Sequence, residues 1–297
     1  MGFKHCVLFF LTANLALTHV EAAGQDNAAD TTVMQVTLWG GKSGRSLYEH
    51  DLLEQILLKT SSHYPAFNLQ MNTQNLGAER GRQTVADGIL ANIYVSGLRQ
   101  DKYTRTQNII PIPTPIMKGL LGYRTVLIRQ EDASRFQQAV QQSDLRSWVI
   151  GQGHSWADVD ILRHNGFTVN DNGRYENLLN MLTYSRFDMV LFGVAEAAAE
   201  LAASHLQEQL TIVEETIIYY PHAMVYQVSG QHPELARRVA EGLAIVERDG
   251  TLARLLEKHF GEALALIQQK KDHIIVLNHP TPTQIPELIQ PLLATQR

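Results

Sequence analysis

The chain has 297 residues, 44% hydrophobic and 19% charged, which is the composition of a globular protein and not of a disordered one. A net charge of −5 offers no polybasic surface for nucleic acid or an anionic membrane, and neither is expected as a partner. With Cys6 as the single cysteine there is no disulfide framework, so stability has to come from core burial.

Residues 1–22 read as a secretory signal peptide. A short basic start (Met1–His5) leads into a mostly apolar run, Cys6–Leu17, and Val20 and Ala22 place small residues before a cut after Ala22. About a dozen apolar residues fall short of the ~20 that cross a bilayer. Cleavage implies an exported, periplasmic protein of about 275 residues, enough for two domains.

From Val33 the pattern alternates. MQVTLW (Met34–Trp39) reads as a strand, Ser46 as the cap of a helix from Leu47 to Ser61, Phe67–Met71 as a strand, Glu79–Asp87 as a helix and Ile89–Val95 as a strand. Pro111, Pro113 and Pro115 then hold the backbone extended and mark a crossover between lobes. Beyond it come strand Tyr123–Arg129, helix Ala133–Gln142, strand Trp148–Ile150, helix Trp156–His164, strand Phe167–Val169, helix Tyr175–Thr183 and strand Asp188–Phe192. Strand Met224–Ser229 returns to the first lobe, followed by helices Pro233–Arg248 and Thr251–His259 and a tail from Asn278 with four prolines, read as a surface strap. Alternating strands and helices argue for α/β architecture with largely parallel sheets. The expected division is a first lobe of 33–120 plus 224–297 and a second lobe of 121–223.

The segment PELARRVAEGLAIVERDGTLARLLEKHFG (Pro233–Gly261) resembles the C-terminal signature of the family 3 bacterial extracellular solute-binding proteins: a helix, an Asp-Gly turn, a Thr-Leu helix start and a closing aromatic-Gly. SGLRQDKYTR (Ser96–Arg105) matches the family's Ser-Gly-Leu…Thr-x-x-Arg region loosely, and RFDMVLFGVAEAAAEL (Arg186–Leu201) matches its second-lobe strand and helix. The resemblance implies a type II, two-lobed clamp of mixed, mostly parallel sheets flanked by helices. Such a clamp closes around a small molecule in the cleft. It further implies a non-catalytic monomer without cofactor or metal, whose closed form is recognised by a membrane partner, either an ABC-type permease or a signalling sensor.

On this resemblance Arg105 is the leading ligand residue, because the family grips a ligand carboxylate with an Arg after the third strand. The spacing from Leu98 is one residue long, which leaves Arg99 as a second candidate and Ser96 beside it. Trp39, ending the first strand, either stacks on ligand or packs in the core. Gly153, His154 and Ser155 lie in a loop that opens a helix, where Ser155 and Asp158 form a capping box whose free N–H groups either cap alone or hold an anion.

Gly-His-Ser-Trp-Ala also imitates a hydrolase nucleophile elbow with Ala in place of the last Gly, which would make Ser155 a nucleophile served by Asp188 and His222. His154, Asp158 and His164 have no metal-site spacing. Finally, Gly193 stands where amino-acid binders of the family carry an Asp for the ligand's α-ammonium group, and Glu196 on the next helix is expected to face elsewhere. The ligand implied is an anion or polar molecule, carboxylate-bearing where Arg105 or Arg99 holds it, without a standard amino-acid head.

Overall fold

The computed structural model describes residues 33–41, 44–99, 101–154, 156 and 158–280. The signal peptide, Ser155 and the proline tail beyond Pro280 therefore lie outside the described residues. Along the chain run β1 (Met34–Trp39), α1 (Gly44–Lys59), β2 (Phe67–Asn72), α2 (Ala78–Asp87), β3 (Ile93–Gly97), α3 (Lys102–Arg105) and β4 (Ile109–Pro111). There follow β5 (Tyr123–Arg129), α4 (Ala133–Gln141), β6 (Val149–Gly153), α5 (Val159–His164), β7 (Thr168–Gly173), α6 (Leu178–Thr183), β8 (Met189–Gly193), α7 (Ala197–Ser204) and β9 (Leu210–Tyr219). The last elements are β10 (Met224–Ser229), α8 (Pro233–Arg248), α9 (Thr251–Gln269) and β11 (Ile274–Val276).

Two mixed sheets result, with strand orders β2-β1-β3-β10-β4 and β11-β9-β5-β8-β6-β7. Every antiparallel pairing involves β10 or β5, the strands that enter each sheet from the other lobe. Chain connections pass between the sheets after β4, after β9 and again after α9. That third passage corrects the expected division of the chain: Ile274–Val276 pairs in parallel with Ile217–Tyr219, so the end of 224–297 belongs to the second sheet.

Burial follows the pleat. Val126 and Ile128 of β5 join one apolar cluster with Phe136 and Trp148, while Leu127 joins another with Leu178 and Val190 on the opposite face. The first lobe's core, built from Leu52, Leu53 and Ile56 of α1 against Leu243 and Leu252, continues into Tyr123, Ile217 and Tyr219 of the second sheet. This shared apolar cluster joins the two sheets. The prolines of the crossover run beside β10, with Ile112 and Ile116 donating the backbone bonds to Tyr226 and Met224 that the prolines cannot.

Several helix starts differ from the sequence reading. Helix α1 begins at Gly44, and Ser46, inside it, accepts instead from the Gly41 N–H at 3.0 Å, holding the β1–α1 loop. Helix α5 begins at Val159, not Trp156; Asp158 makes no capping bond because its carboxylate is buried against other partners. The Asp249–Gly250 turn forms with Gly250 in the left-handed region (φ 77°), but the N-cap of α9 is Gly250 and not Thr251, and Asp249 before it accepts from the Thr251 N–H at 2.9 Å. Helix α9 kinks at Phe260, next to its expected end at His259, and then continues to Gln269.

Strand β9 was not expected. A bulge opposite Thr125 and Val126 takes residues 214–216 out of register, and with it the alternation that marks a strand.

Candidate functional site

A cavity of about 530 Å³ lies between the two sheets. Its first wall is built at the C-terminal ends of β1 and β3 and the start of α1 and α2; its second at the ends of β8 and β9, the start of β5 and the β6–α5 loop. In α/β sheets these strand ends are where loops and helix starts leave room for a ligand.

The first wall carries three arginines. Arg82 of α2, nearly buried, donates to Glu79 at 2.8 Å, and both Arg82 and Arg99 approach Asp101, at 3.9 and 3.5 Å. Lys102, Arg82 and Tyr103 hydrogen-bond the Glu79 carboxylate and hold it at about 2, well below its usual range. Arg45, on the first turn of α1, lies between Glu49 (3.1 Å) and Glu196 (2.8 Å). Burial alone would lower the Arg45 guanidinium, but the two carboxylates outweigh it and raise it. Glu49, buried and beside Glu196, is pushed up to about 7 despite Arg45.

The second wall is more deeply buried. Arg124 of β5 pairs with Asp158 at 3.2 Å, and the Tyr220 hydroxyl donates to the same carboxylate at 2.7 Å. Arg124 keeps its Nε without a hydrogen-bond partner although its side chain is only 5% exposed. Next to this pair His222 is lowered to about 4, by burial first and then by the Arg124 charge, and is neutral at pH 7. Aromatic rings line both sides: Trp39 and Tyr94, with centroids 5.9 Å apart, on the first wall, and Trp156, Tyr175 and Phe192, mutually 6.0–6.3 Å apart, on the second. Among the described residues, no group of three or more His, Cys, Asp or Glu could hold a metal ion.

Of the residues singled out by sequence as ligand candidates, Trp39, Ser96 and Arg99 line this cavity. The Trp39 ring covers Gly81, where a Cβ would lie 1.7 Å from it, and its Nε1 donates to Gln74. Ser96 accepts from the Gln227 amide at 2.6 Å.

Arg105 does not join them. It is exposed on α3, whose Tyr103 is the buried residue, and two positions along a helix turn a side chain to nearly the opposite face. Gly153 is buried beneath Trp156 rather than lining the cavity, His154 is exposed with Nδ1 near the Asp171 carbonyl, and Ser155 is outside the described residues. Gly193 ends β8 behind Glu196 and Leu121. Glu196 itself lines the cavity, contrary to the expectation that it faces away.

The proposed acid of the hydrolase triad is also misplaced. Asp188 precedes β8, accepts from the Val149 N–H and sits near Arg135, at the opposite end of the sheet from Gly153.

The sequence reading missed Arg45, Arg82, Arg124 and Trp156 as cavity residues, and it gave His222, Asp158 and Glu196 other roles. One signal was available: β5 carries two arginines, Arg124 and Arg129, in a strand whose residues are all buried, and a charge in such a strand needs a partner or a purpose.

No protein-family model matches the chain, and no curated protein matches it either. Solved structures do. A periplasmic His/Glu/Gln/Arg/opine family-binding protein from Silicibacter pomeroyi in complex with lysine superposes with a TM-score of 0.56 at 12% identity, covering 77% of this chain and 98% of that one. The BvgS VFT2 domain of Bordetella pertussis gives 0.55 at 14% identity, over 76% of this chain and 92% of that one. An ancestral arginine-binding protein bound to glutamine gives 0.55 at 14%, over 76% and 98%. The neighbours of this kind are ligand-binding proteins, not enzymes. At these identities the likeness establishes the fold, which is the two-lobed type II periplasmic-binding architecture.

Proposed function

We propose that this chain is a periplasmic, non-catalytic solute-binding protein whose lobes close on a small anionic or polar ligand, and whose closed form is read by a membrane permease or sensor. The observation that carries the reading is Arg124: a buried guanidinium in the wall of an interlobe cavity, with one N–H left unpartnered there. Such a donor is costly to bury and is satisfied by an acceptor supplied from the cavity, for which a carboxylate or other anion is the strongest choice.

Four arginines line the cavity against three carboxylates, Asp158, Glu196 and Glu200, while His222 adds no charge at neutral pH. The Glu196 carboxylate is paired with Arg45 and Asp158 with Arg124, so the acid left to meet an α-ammonium group is Glu200, which already accepts from the Tyr175 hydroxyl. This supports a ligand without a standard amino-acid head. The neighbours solved with lysine or glutamine set the contrary case.

Native mass spectrometry of the purified protein, followed by calorimetry with the common amino acids and with small carboxylates, tests the reading. The expected result is binding of a carboxylate, weakened at least tenfold by Arg124→Lys in a variant that still melts cooperatively. Tight binding of free lysine or glutamine would move the ligand class to amino acids; turnover of a bound ester would remove the non-catalytic reading.

A further inference from the structure

The two lobes meet across the cavity through charges of their own. Arg45 rises from the first turn of α1 in the first lobe, and Glu196 follows β8 in the second; their Nε and Oε1 atoms are 2.8 Å apart. A second polar contact spans the same gap, from the Asn75 amide to Glu176 at 2.6 Å. Neither contact belongs to the shared apolar cluster described above.

Room for the Glu196 carboxylate is made by Gly193. A Cβ at that position would lie 2.9 Å from Glu196 Oε2 and 2.8 Å from Leu121 Cδ1, so any larger residue there would push the carboxylate or the leucine aside. The glycine is thus tied to the placement of Glu196, which reaches back over the end of β8.

We propose that Glu196 is an internal counter-anion: it pairs with Arg45 across the cavity and latches the lobes together, and an anionic ligand that binds Arg45 has to take it from Glu196. The second half rests on the function proposed above; the latch itself does not. Glu49, 3.1 Å from Arg45 on the same helix, supplies the arginine with a partner when the lobes part, so opening does not leave Arg45 unpaired. The pair is three-quarters covered, with 28% and 22% of the two side chains exposed, and it remains sensitive to salt. Ligand selectivity follows from competition, because a neutral molecule cannot displace Glu196 from the guanidinium.

The test measures lobe separation without ligand. Spin labels are placed on cysteines substituted at Ile89 and Tyr184, one on each lobe and 84% and 76% exposed, in a Cys6→Ser background that removes the native thiol. The protein is unfolded in guanidinium, dialysed and refolded to strip any carried ligand, and electron–electron distances are then recorded. In the parent protein a narrow, short distribution is expected, which lengthens and broadens in 1 M NaCl (~3 Å screening length).

Glu196→Gln should show the long distribution at both salt concentrations. Gly193→Ala, which keeps both charges and crowds Glu196 Oε2 and Leu121 Cδ1 alike, should fall between the parent and Glu196→Gln. Melting curves verify that each variant is folded. A Glu196→Gln distribution identical to the parent's, with no response to salt in either, overturns the latch. Calorimetry reports on ligand binding separately, so a failed latch with intact binding and a confirmed latch without binding are distinct results.

Discussion

On the first-sheet wall, Arg82 and Arg99 lean on Asp101 and Glu79, acids from the same lobe that are 20% and 55% exposed. On the second-sheet wall, Arg124 and Asp158 are 5% and 2% exposed and depend on each other and on Tyr220. The same residue type faces the same cavity, yet water screens the first set and not the second. A partly hydrated ion pair can exchange partners at little cost, whereas a desolvated one is held to its geometry because a lost partner is not replaced by water. The second wall is therefore built as the fixed half of the site and the first as the adaptable half.

The strongest challenge to that contrast is Asp158→Asn. The substitution keeps the shape and removes the charge, leaving buried Arg124 with the more distant Glu196 as the acid that acts on it, while His222 is unprotonated. A loss of about 3–5 kcal/mol is expected, read as a lower midpoint in urea with an unchanged slope. A loss below 1 kcal/mol would show that water reaches Arg124 and that the two walls do not differ in kind.

Two buried titratable groups, one facing each wall, extend the comparison to pH. Glu49, among Arg45 and Glu196, has its carboxyl raised from 4.5 to about 7 by burial. Between those pH values the folded form holds a proton that the unfolded chain has released, so stability falls as pH rises, by on the order of 3 kcal/mol in full. His222, beside Arg124 and Asp158, is lowered from 6.5 to about 4. Between those values the unfolded chain binds a proton that the folded form refuses, so stability falls as pH drops, by a similar order.

The slopes are opposite and their windows overlap from 4.5 to 6.5, so the parent protein should be nearly flat there. Glu49→Gln should leave stability rising with pH across the overlap, and His222→Asn should leave it falling. Melting temperatures of the three proteins across the overlap check this, and parallel curves would show that neither group titrates as its burial implies.

The elements that sequence made legible are those whose local signals and tertiary role agree. Tyr123–Arg129, Met224–Ser229 and Pro233–Arg248 lie where the apolar pattern puts them, because strands buried on both faces and an amphipathic helix carry their environment in their composition. Strand β9 was hidden by its bulge at 214–216, and β11 by being three residues long, with pairing to β9 as the reason it is a strand at all.

The site was less legible than the fold. Its residues come from α1, α2, β3, β5, the β6–α5 loop and the ends of β8 and β9, and no spacing rule connects Arg45 to Glu196 or Arg124 to Asp158. Arg105 was favoured through the Ser-Gly-Leu…Arg resemblance. The extra residue before it lets Asp101 start α3, and that short helix turns Tyr103 inward and Arg105 outward. Gly193 was read as a missing charge, when its small size is what lets Glu196 supply one.

The smallest expected effect belongs to Asp101→Asn on the first wall. Asp101 approaches Arg99 and Arg82 at 3.5 and 3.9 Å, distances at which a partly hydrated pair gains little. Its second task is to cap α3 by accepting from the N–H groups of Tyr103 and Thr104, and Asn performs that task about as well as Asp. Arg82 also retains Glu79 at 2.8 Å. The charge removed is thus one of two near Arg82, and the cap survives, so the loss should stay under about 1 kcal/mol and shrink further at high salt. Denaturant midpoints for the parent and Asp101→Asn, at low and high ionic strength, measure both parts. A salt-independent loss as large as that of Asp158→Asn would mean that the first wall is as rigidly desolvated as the second, and that the adaptable half of the site lies elsewhere.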